Sequence, residues 1–313
     1  MDTMAVVLKQ PRQISLSRLD LTPPADGDVV VDMEWSGIST GTERLLYTGT
    51  MPAFPGMGYP LVPGYESVGR IRACGRGAGQ GAEVGERVFV PGARCFGDVR
   101  GLFGGAAARV VVPAERALPI PEELGDKGVL LALAATAWHA REGGAVAPDL
   151  IVGHGVLGRL LARMGVAAGT RPVVWETNPD RRQGAEGYDV ISPEDDDRRN
   201  YRCICDVSGD AGLLDDLIGR LVPGGEILLA GFYSQKISFA FAPAFMREAR
   251  LRIAAQWQPA DLVAVRDAVR DGTLSLEGLI THRVEATEAA DAYRIAFDDP
   301  GCLKMILDWR ACV

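Results

Sequence analysis

The sequence predicts an α/β protein built from a β-rich part followed by a doubly wound parallel sheet. Short β-branched runs, separated by Gly, Pro and Asp turns, fill the chain to about residue 120. Near residue 126 the apolar period changes, and strands then alternate with helices, the pattern of a parallel sheet covered on both faces. A chain of 313 residues can bury two cores of ordinary size.

Composition narrows the function classes. Apolar content of 47% and charged content of 24% are those of a soluble globular protein. A net charge of −8 offers no basic patch for a phosphate backbone, which excludes a nucleic-acid partner. The opening "MDTMAVVLKQ" has no basic segment followed by an apolar core, so no signal peptide is expected. The longest apolar runs, such as "VLLALAATAWHA", fall short of a bilayer span. A cytoplasmic protein without stable membrane insertion is expected.

The elements follow in order. "MAVVL", "QISLSRLD", "DVVVDMEWSGI", "ESVGRIRACG" and "ERVFV" read as strands. Between the third and fourth lies Leu45 to Tyr65, a stretch without a charged residue. Pro52, Pro55, Pro60 and Pro63 exclude a regular helix there and predict a shaped loop. "DKGVLLALAATAWHAREGG" reads as a helix with a glycine stop. Next come strand "DLIVG", a glycine turn, helix "RLLARMGVAAG" and strand "RPVVWETNP". "CICDVSG" and "EILLAGFY" read as buried strands around a helical "AGLLDDLIGRLVPGG", and two helices and a terminal strand close the chain. The expected division gives residues 1–133 and 255–313 to the β-rich domain and 134–254 to the doubly wound one. Six cysteines are scattered; Cys203 and Cys205 share one strand face and read as core residues.

Gly153, Gly155 and Gly158 form G-x-G-x-x-G between a strand and a helix, the context that gives this pattern meaning. Gly153 permits the tight turn, Gly155 lets backbone approach a pyrophosphate, and Gly158 allows close helix–strand packing. The helix start at Val156 and Leu157 supplies free N–H groups and a positive dipole end, and His154 lies in the turn itself. Glu176 stands at the end of the second strand, where a carboxylate accepts ribose hydroxyls and repels a 2′-phosphate. NAD is therefore favoured over NADP, although Arg181 and Arg182 follow closely and weaken the preference.

With both halves in place, the chain resembles the medium-chain dehydrogenase/reductase family over its full length. The segments "GISTGTE", "PLVPGYESVGR", "VGERV", "IVGHGVLG", "LVPGGEILLAG", "LITHRV" and "AADAY" carry the resemblance. It implies a GroES-like catalytic domain joined to a Rossmann nucleotide-binding domain, with the chain returning to the first domain at its end. Zinc-dependent members place three ligands at positions that match Ser39, Tyr65 and Ala132 here, and the lobe with four cysteines is reduced to Cys95. A hydroxyl, a phenol and a methyl group are not a zinc site, so no metal is expected. The family also places Thr136 beside the nicotinamide and Lys304 toward the cofactor phosphates, and implies dimerisation through the nucleotide domain.

Within the family, "ISTGTERLLYTGTMPAFPGMGYPLVPGYESVG" is most similar to a branch that acts on a tetrapyrrole alcohol. That similarity implies NAD-linked oxidation of a hydroxyethyl side chain on a bacteriochlorophyllide. A zinc-free quinone or enoyl reductase and a non-catalytic pigment carrier are the other readings. Without a Lewis acid, a side chain must take the hydroxyl proton, or the substrate must release hydride readily. Tyr65 replaces a histidine ligand and so should face the nicotinamide. Ser39, Thr40 and Thr42 are placed to carry a proton, and Glu43 and Glu66 are the nearby carboxylates. The competing reading has Tyr65 filling the volume of the lost metal, with the hydroxyls and Glu66 holding turns. Tyr47, Met51, Phe54, Met57 and Tyr59 suit a flat apolar ligand, although loops of this kind also seal cores or mediate dimer contacts. His139 and His282 read as structural.

Overall fold

A computed structural model of the protein describes residues 1–78 and 82–313. Two compact units divide the chain, Met1–Ala132 with Leu279–Val313, and Leu133–Gly278. The first unit contains β1 (Asp2–Gln10), β2 (Gln13–Asp20), β3 (Asp28–Ile38), α1 (Thr42–Thr48), β4 (Leu61–Val62), β5 (Ser67–Cys74), β6 (Arg87–Val90), β7 (Arg100–Gly101), β8 (Arg109–Pro113) and β9 (Leu118–Pro119). Helix α2 (Leu131–Glu142) carries the chain across the division. The second unit contains β10 (Leu150–Val152), α3 (Val156–Ala167), β11 (Val173–Trp175), β12 (Asp189–Ile191), β13 (Tyr201–Asp206), α4 (Leu214–Arg220), β14 (Leu221–Leu229), α5 (Phe241–Met246), β15 (Arg250–Ile253) and α6 (Pro259–Arg270). The chain then returns for β16 (His282–Glu285), α7 (Ala289–Asp298) and β17 (Met305–Asp308).

Strand β3 organises the first unit. It pairs antiparallel with β5, β8 and β17 in a sheet ordered β16-β17-β3-β5-β6-β9. A second sheet runs β2-β1-β4-β7. Val29, Val31, Met33 and Ile38 of β3 are buried in one cluster with Val6, Val88, Val110, Tyr293, Leu307 and Trp309, as expected of a strand covered on both faces. The second unit has one parallel sheet ordered β12-β11-β10-β13-β14-β15. Its core gathers Leu150, Val152, Trp175, Ile204, Leu217 and Ile227. The α/β class with a β-rich unit and a doubly wound parallel unit is the fold observed. Among the described residues, no helix is long and apolar enough to cross a membrane.

Three elements differ from the sequence expectation. The uncharged stretch begins as helix, because α1 runs to Thr48 before the first proline, Pro52. The segment "LVPGG" is extended within β14 rather than helical, since Pro223 and Gly224 cannot prolong α4. The chain returns to the first unit at Leu279, later than the expected residue 255. Residues 255–278 stay with the second unit for stated reasons: Leu262 and Val265 of α6 are buried, His139 Nδ1 bonds Asp261 at 2.9 Å, and Arg163 donates to the carbonyls of Ser275 and Glu277.

Candidate active site

The β3–β5 register builds the first site. Ser36 lies opposite Ser67, so the residues just beyond each strand end are neighbours. Gly37 N–H donates to the Glu66 carbonyl at 2.7 Å. A Cβ on Gly37 would lie 2.3 Å from Glu66 Oε2, so a side chain there would displace the Glu66 carboxyl. Ser39, buried at the corner into α1, meets Tyr65 with their hydroxyl oxygens 2.7 Å apart. Thr42 lies near the same phenol, and the Tyr65 ring stands edge-on to Phe103. Thr40 sits half-buried at the turn, outside this pair.

Around the hydroxyl pair lies a buried charge cluster. Glu66 Oε2 accepts from Lys304 Nζ at 2.7 Å, and Glu66 Oε1 has no hydrogen-bond partner among the described residues. Glu43 Oε2 accepts from the Tyr293 hydroxyl at 2.7 Å, and Oε1 accepts from Ser39 N–H at 3.2 Å. Burial, with the Glu66 charge adding, raises the Glu43 carboxyl to about 8 against the pull of Tyr293, Ser39 and Lys304. Burial and the charge of Glu66 likewise hold the Tyr65 phenol above its ordinary value. In the protein alone Tyr65 is therefore a neutral hydrogen-bonding phenol. Lys304, expected at the cofactor phosphates, is instead 1% exposed, its ammonium bonded to Glu66 and to the Ile38 carbonyl. The β17–β3 pairing, with Met305 opposite Ile38, draws it inward.

The proline-rich loop is packed. Met51 is buried, and Tyr47, Phe54, Met57 and Tyr59 are half-buried against a small core of Leu8, Leu46, Leu61 and Leu102. Tyr59 donates its hydroxyl to the Leu46 carbonyl, and Tyr47 lies 5.2 Å from the Phe297 ring. The side chains expected at a pigment thus also seal a core, and Met51 does only that. Pro52, Ala53, Pro55 and Gly56 form the exposed rim.

The second site is the glycine turn after β10. Gly153 has φ +105°, a conformation that favours glycine. A Cβ on Gly158 would lie 1.9 Å from the Gly153 carbonyl oxygen, so α3 can start this close to the turn only with glycine there. A Cβ on Gly155 would meet nothing within 4 Å, and no side chain caps α3. The Val156 and Leu157 end of α3 therefore leaves an open, uncapped cradle of the kind that receives a pyrophosphate. Glu176 accepts from the N–H groups of His154 and Asn178 and stands half-buried beside the turn. Thr136 is half-buried on α2. These residues fit a dinucleotide.

His154, in the glycine turn, faces inward rather than toward the cradle. Its ring is fully buried, with Nδ1 bonded to the Arg181 carbonyl at 2.6 Å and Nε2 to the Tyr188 hydroxyl at 2.9 Å. Both ring nitrogens are thus committed inside the protein. Burial depresses the imidazole to about 4. Arg159 bonds the carbonyls of His154, Arg181 and Gln183, tying the segment after β11 to the glycine turn.

Ser39, Tyr65 and Ala132 stand where the resemblance implied zinc ligands. Two hydroxyls bonded to one another and a methyl group do not fit zinc, which is held by thiolate, imidazole or carboxylate. Sequence reasoning noticed Glu43 as a nearby carboxylate but missed its partner Tyr293, which lies 250 residues away.

The first unit thus holds a buried cluster of hydroxyls, carboxylates and a lysine, and the parallel-sheet unit an uncapped glycine turn. The chain belongs to the medium-chain dehydrogenase/reductase family and is an alcohol dehydrogenase within it. Residues 25–122 match the alcohol dehydrogenase GroES-like domain. The chain is 59% identical over 313 residues to the 2-desacetyl-2-hydroxyethyl bacteriochlorophyllide A dehydrogenase of Rhodobacter capsulatus, covering 99% of each chain. It is also 59% identical to the protein of that name from Cereibacter sphaeroides, again over 99% of each. Among solved structures, an alcohol dehydrogenase from Escherichia coli CFT073 complexed with NADH superposes with a TM-score of 0.83 at 24% identity, over 98% of this chain and 99% of that one. At that identity the likeness speaks for the fold alone.

Proposed function

We propose that the protein oxidises the 3-(1-hydroxyethyl) group of a bacteriochlorophyllide to a 3-acetyl group, with NAD and without zinc. The observation that carries this is the end-to-end similarity, at 59% identity, to two bacteriochlorophyllide dehydrogenases. The donor set at Ser39, Tyr65 and Ala132 supports a metal-free reaction. Glu176 beside the glycine turn supports NAD, because its charge opposes a 2′-phosphate.

The bound nicotinamide would supply the hydride acceptor. This chain's own contribution is to manage the proton. Tyr65, neutral and bonded to Ser39, is suited to bond the carbinol oxygen. As the hydride leaves for NAD, the carbinol proton passes to Tyr65, Tyr65 gives its own to Ser39, and Ser39 gives its own to water. Hydride loss is eased by the substrate itself, since positive charge at its carbinol carbon delocalises into the macrocycle. The half-buried faces of Tyr47, Phe54, Met57 and Tyr59 are the proposed resting surface for the pigment. The expected homodimer is proposed through the β15 edge of the parallel sheet, where Ile253, Phe241, Phe245 and Met246 are exposed. A cytoplasmic location is part of the proposal.

The test is an absorbance time course with chelator-treated protein, NAD and 3-(1-hydroxyethyl)bacteriochlorophyllide a. NADH formation with a matching pigment band shift, faster than with NADP, is the expected result. Pigment binding without NADH would overturn it in favour of a carrier.

A further inference from the structure

The peptide joining Ile38 to Ser39 is held at both of its polar ends. Its carbonyl oxygen accepts from Lys304 Nζ at 3.2 Å, and its N–H donates to Glu43 Oε1 at 3.2 Å. Each holder is fixed in turn, Lys304 by Glu66 and Glu43 by Tyr293 of α7, both at 2.7 Å. Glu43, Glu66, Lys304 and Tyr293 are each at most 1% exposed. Backbone groups at strand ends are usually satisfied by other backbone or by water. Burying three ionisable side chains around one peptide is costly by comparison. Only a few residues away, Ser36 Oγ is held by a neutral donor, Trp309 Nε1, at 2.8 Å. The peptide that carries Ser39 is gripped by a carboxyl at one end and an ammonium at the other.

We propose that Glu43 is a positioning residue for the dehydrogenase reaction. Through the Ser39 N–H, and with Lys304 gripping the other end of that peptide, it aligns the Ser39–Tyr65 hydroxyl pair according to its own protonation. This deepens the dehydrogenase proposal and rests on it. The groups facing Glu43 are Tyr293 from α7, Ser39 from the end of β3, Tyr65 and Glu66 from the segment before β5, and Lys304 from the segment before β17. Its carboxyl titrates near 8, so its charge changes within the working range of an enzyme. As a carboxylate it is the stronger acceptor for Ser39 N–H, so alignment is tightest once Glu43 is ionised.

Two measurements test this. The first is kcat and KM against pH for the wild type, Glu43→Gln and Tyr293→Phe, with NADH binding as the folding control. Wild-type kcat should rise with a midpoint near 8. Glu43→Gln should flatten that limb and lower kcat at high pH by about tenfold with little change in KM, the scale of a charge-assisted hydrogen bond. Tyr293→Phe should move the midpoint upward, because the tyrosine bond favours the ionised form. The second measurement needs no turnover: the ring-carbon resonance of labelled Tyr65 against pH. It should shift near 8 in the wild type and stay flat in Glu43→Gln. A Tyr65 titration that is the same in both proteins, or a Glu43→Gln enzyme that keeps the wild-type limb, would overturn the inference. Wild type that shows the Tyr65 shift yet no turnover would instead sink the dehydrogenase proposal.

Discussion

Tyr65 meets Ser39 because two strands end side by side, which sets their hydroxyl oxygens 2.7 Å apart. Replacing Tyr65 by Phe removes one hydroxyl and leaves the ring on Phe103. On the proposed mechanism kcat should fall by roughly 10²–10⁴-fold, the usual contribution of a placed proton-transfer group, while NADH affinity stays unchanged. Stopped-flow turnover measures the first and fluorescence titration the second; undiminished kcat would make Tyr65 a space filler. At this scale the sequence was partly legible. Ser39, Tyr65 and Glu66 are found through the resemblance, because each falls in a local motif of the family. The inward turns of Lys304 and His154, and the Glu43–Tyr293 bond, depend on strands and helices distant in the chain. No local pattern reports them.

The strand–turn–helix of the nucleotide unit separates two roles that one glycine motif combines. Alanine at Gly158 would press a methyl group onto the Gly153 backbone, whereas alanine at Gly155 meets no protein atom. Gly158→Ala should therefore lower the melting temperature by several degrees, as a loss of about 2 kcal/mol does in a domain of this size. Gly155→Ala, with its extended and ordinary backbone, should melt like the wild type and yet lose the stabilisation that added NADH confers. Thermal scans with and without NADH decide it. Full protection of Gly155→Ala by NADH would place the pyrophosphate elsewhere. Elements with a clear period, such as β10, α3 and β11, were readable from sequence. Helix α1 was not, because the prolines that follow it obscured its first turn; nor was the extended "LVPGG", whose apolar residues continue the helical pattern of α4.

Across the whole molecule, two buried groups set opposite limits on stability. Glu43 binds its proton up to about 8 when folded, against an ordinary 4.5. Its contribution is complete below the lower value and is lost as pH rises through the higher one. His154 titrates at about 4 when folded, against an ordinary 6.5. Its contribution is complete above 6.5 and is lost as pH falls through 4. Each limb should be worth a few kcal/mol, at roughly 1.4 kcal/mol per pH unit. The two windows overlap and their slopes cancel between 4.5 and 6.5, so urea midpoints measured across pH should be level there and fall on either side. Glu43→Gln should flatten the alkaline side and His154→Gln the acid side; a variant that leaves its limb intact would show that another group controls it. The two-part architecture was legible from composition and period. The crossing point at Leu279 was not, because α6 has an ordinary amphipathic pattern that does not say which core it serves.

The order of the chain carries a consequence for synthesis. By Gly278 the parallel-sheet unit is complete, and it can fold as the ribosome continues. The other unit still lacks β16, α7 and β17, and with them Tyr293 and Lys304. A nascent chain can thus possess a finished cofactor-binding unit long before Ser39 is seated. The Ser39 corner is completed only by elements made after the parallel-sheet unit, α7 with Tyr293 and the segment before β17 with Lys304.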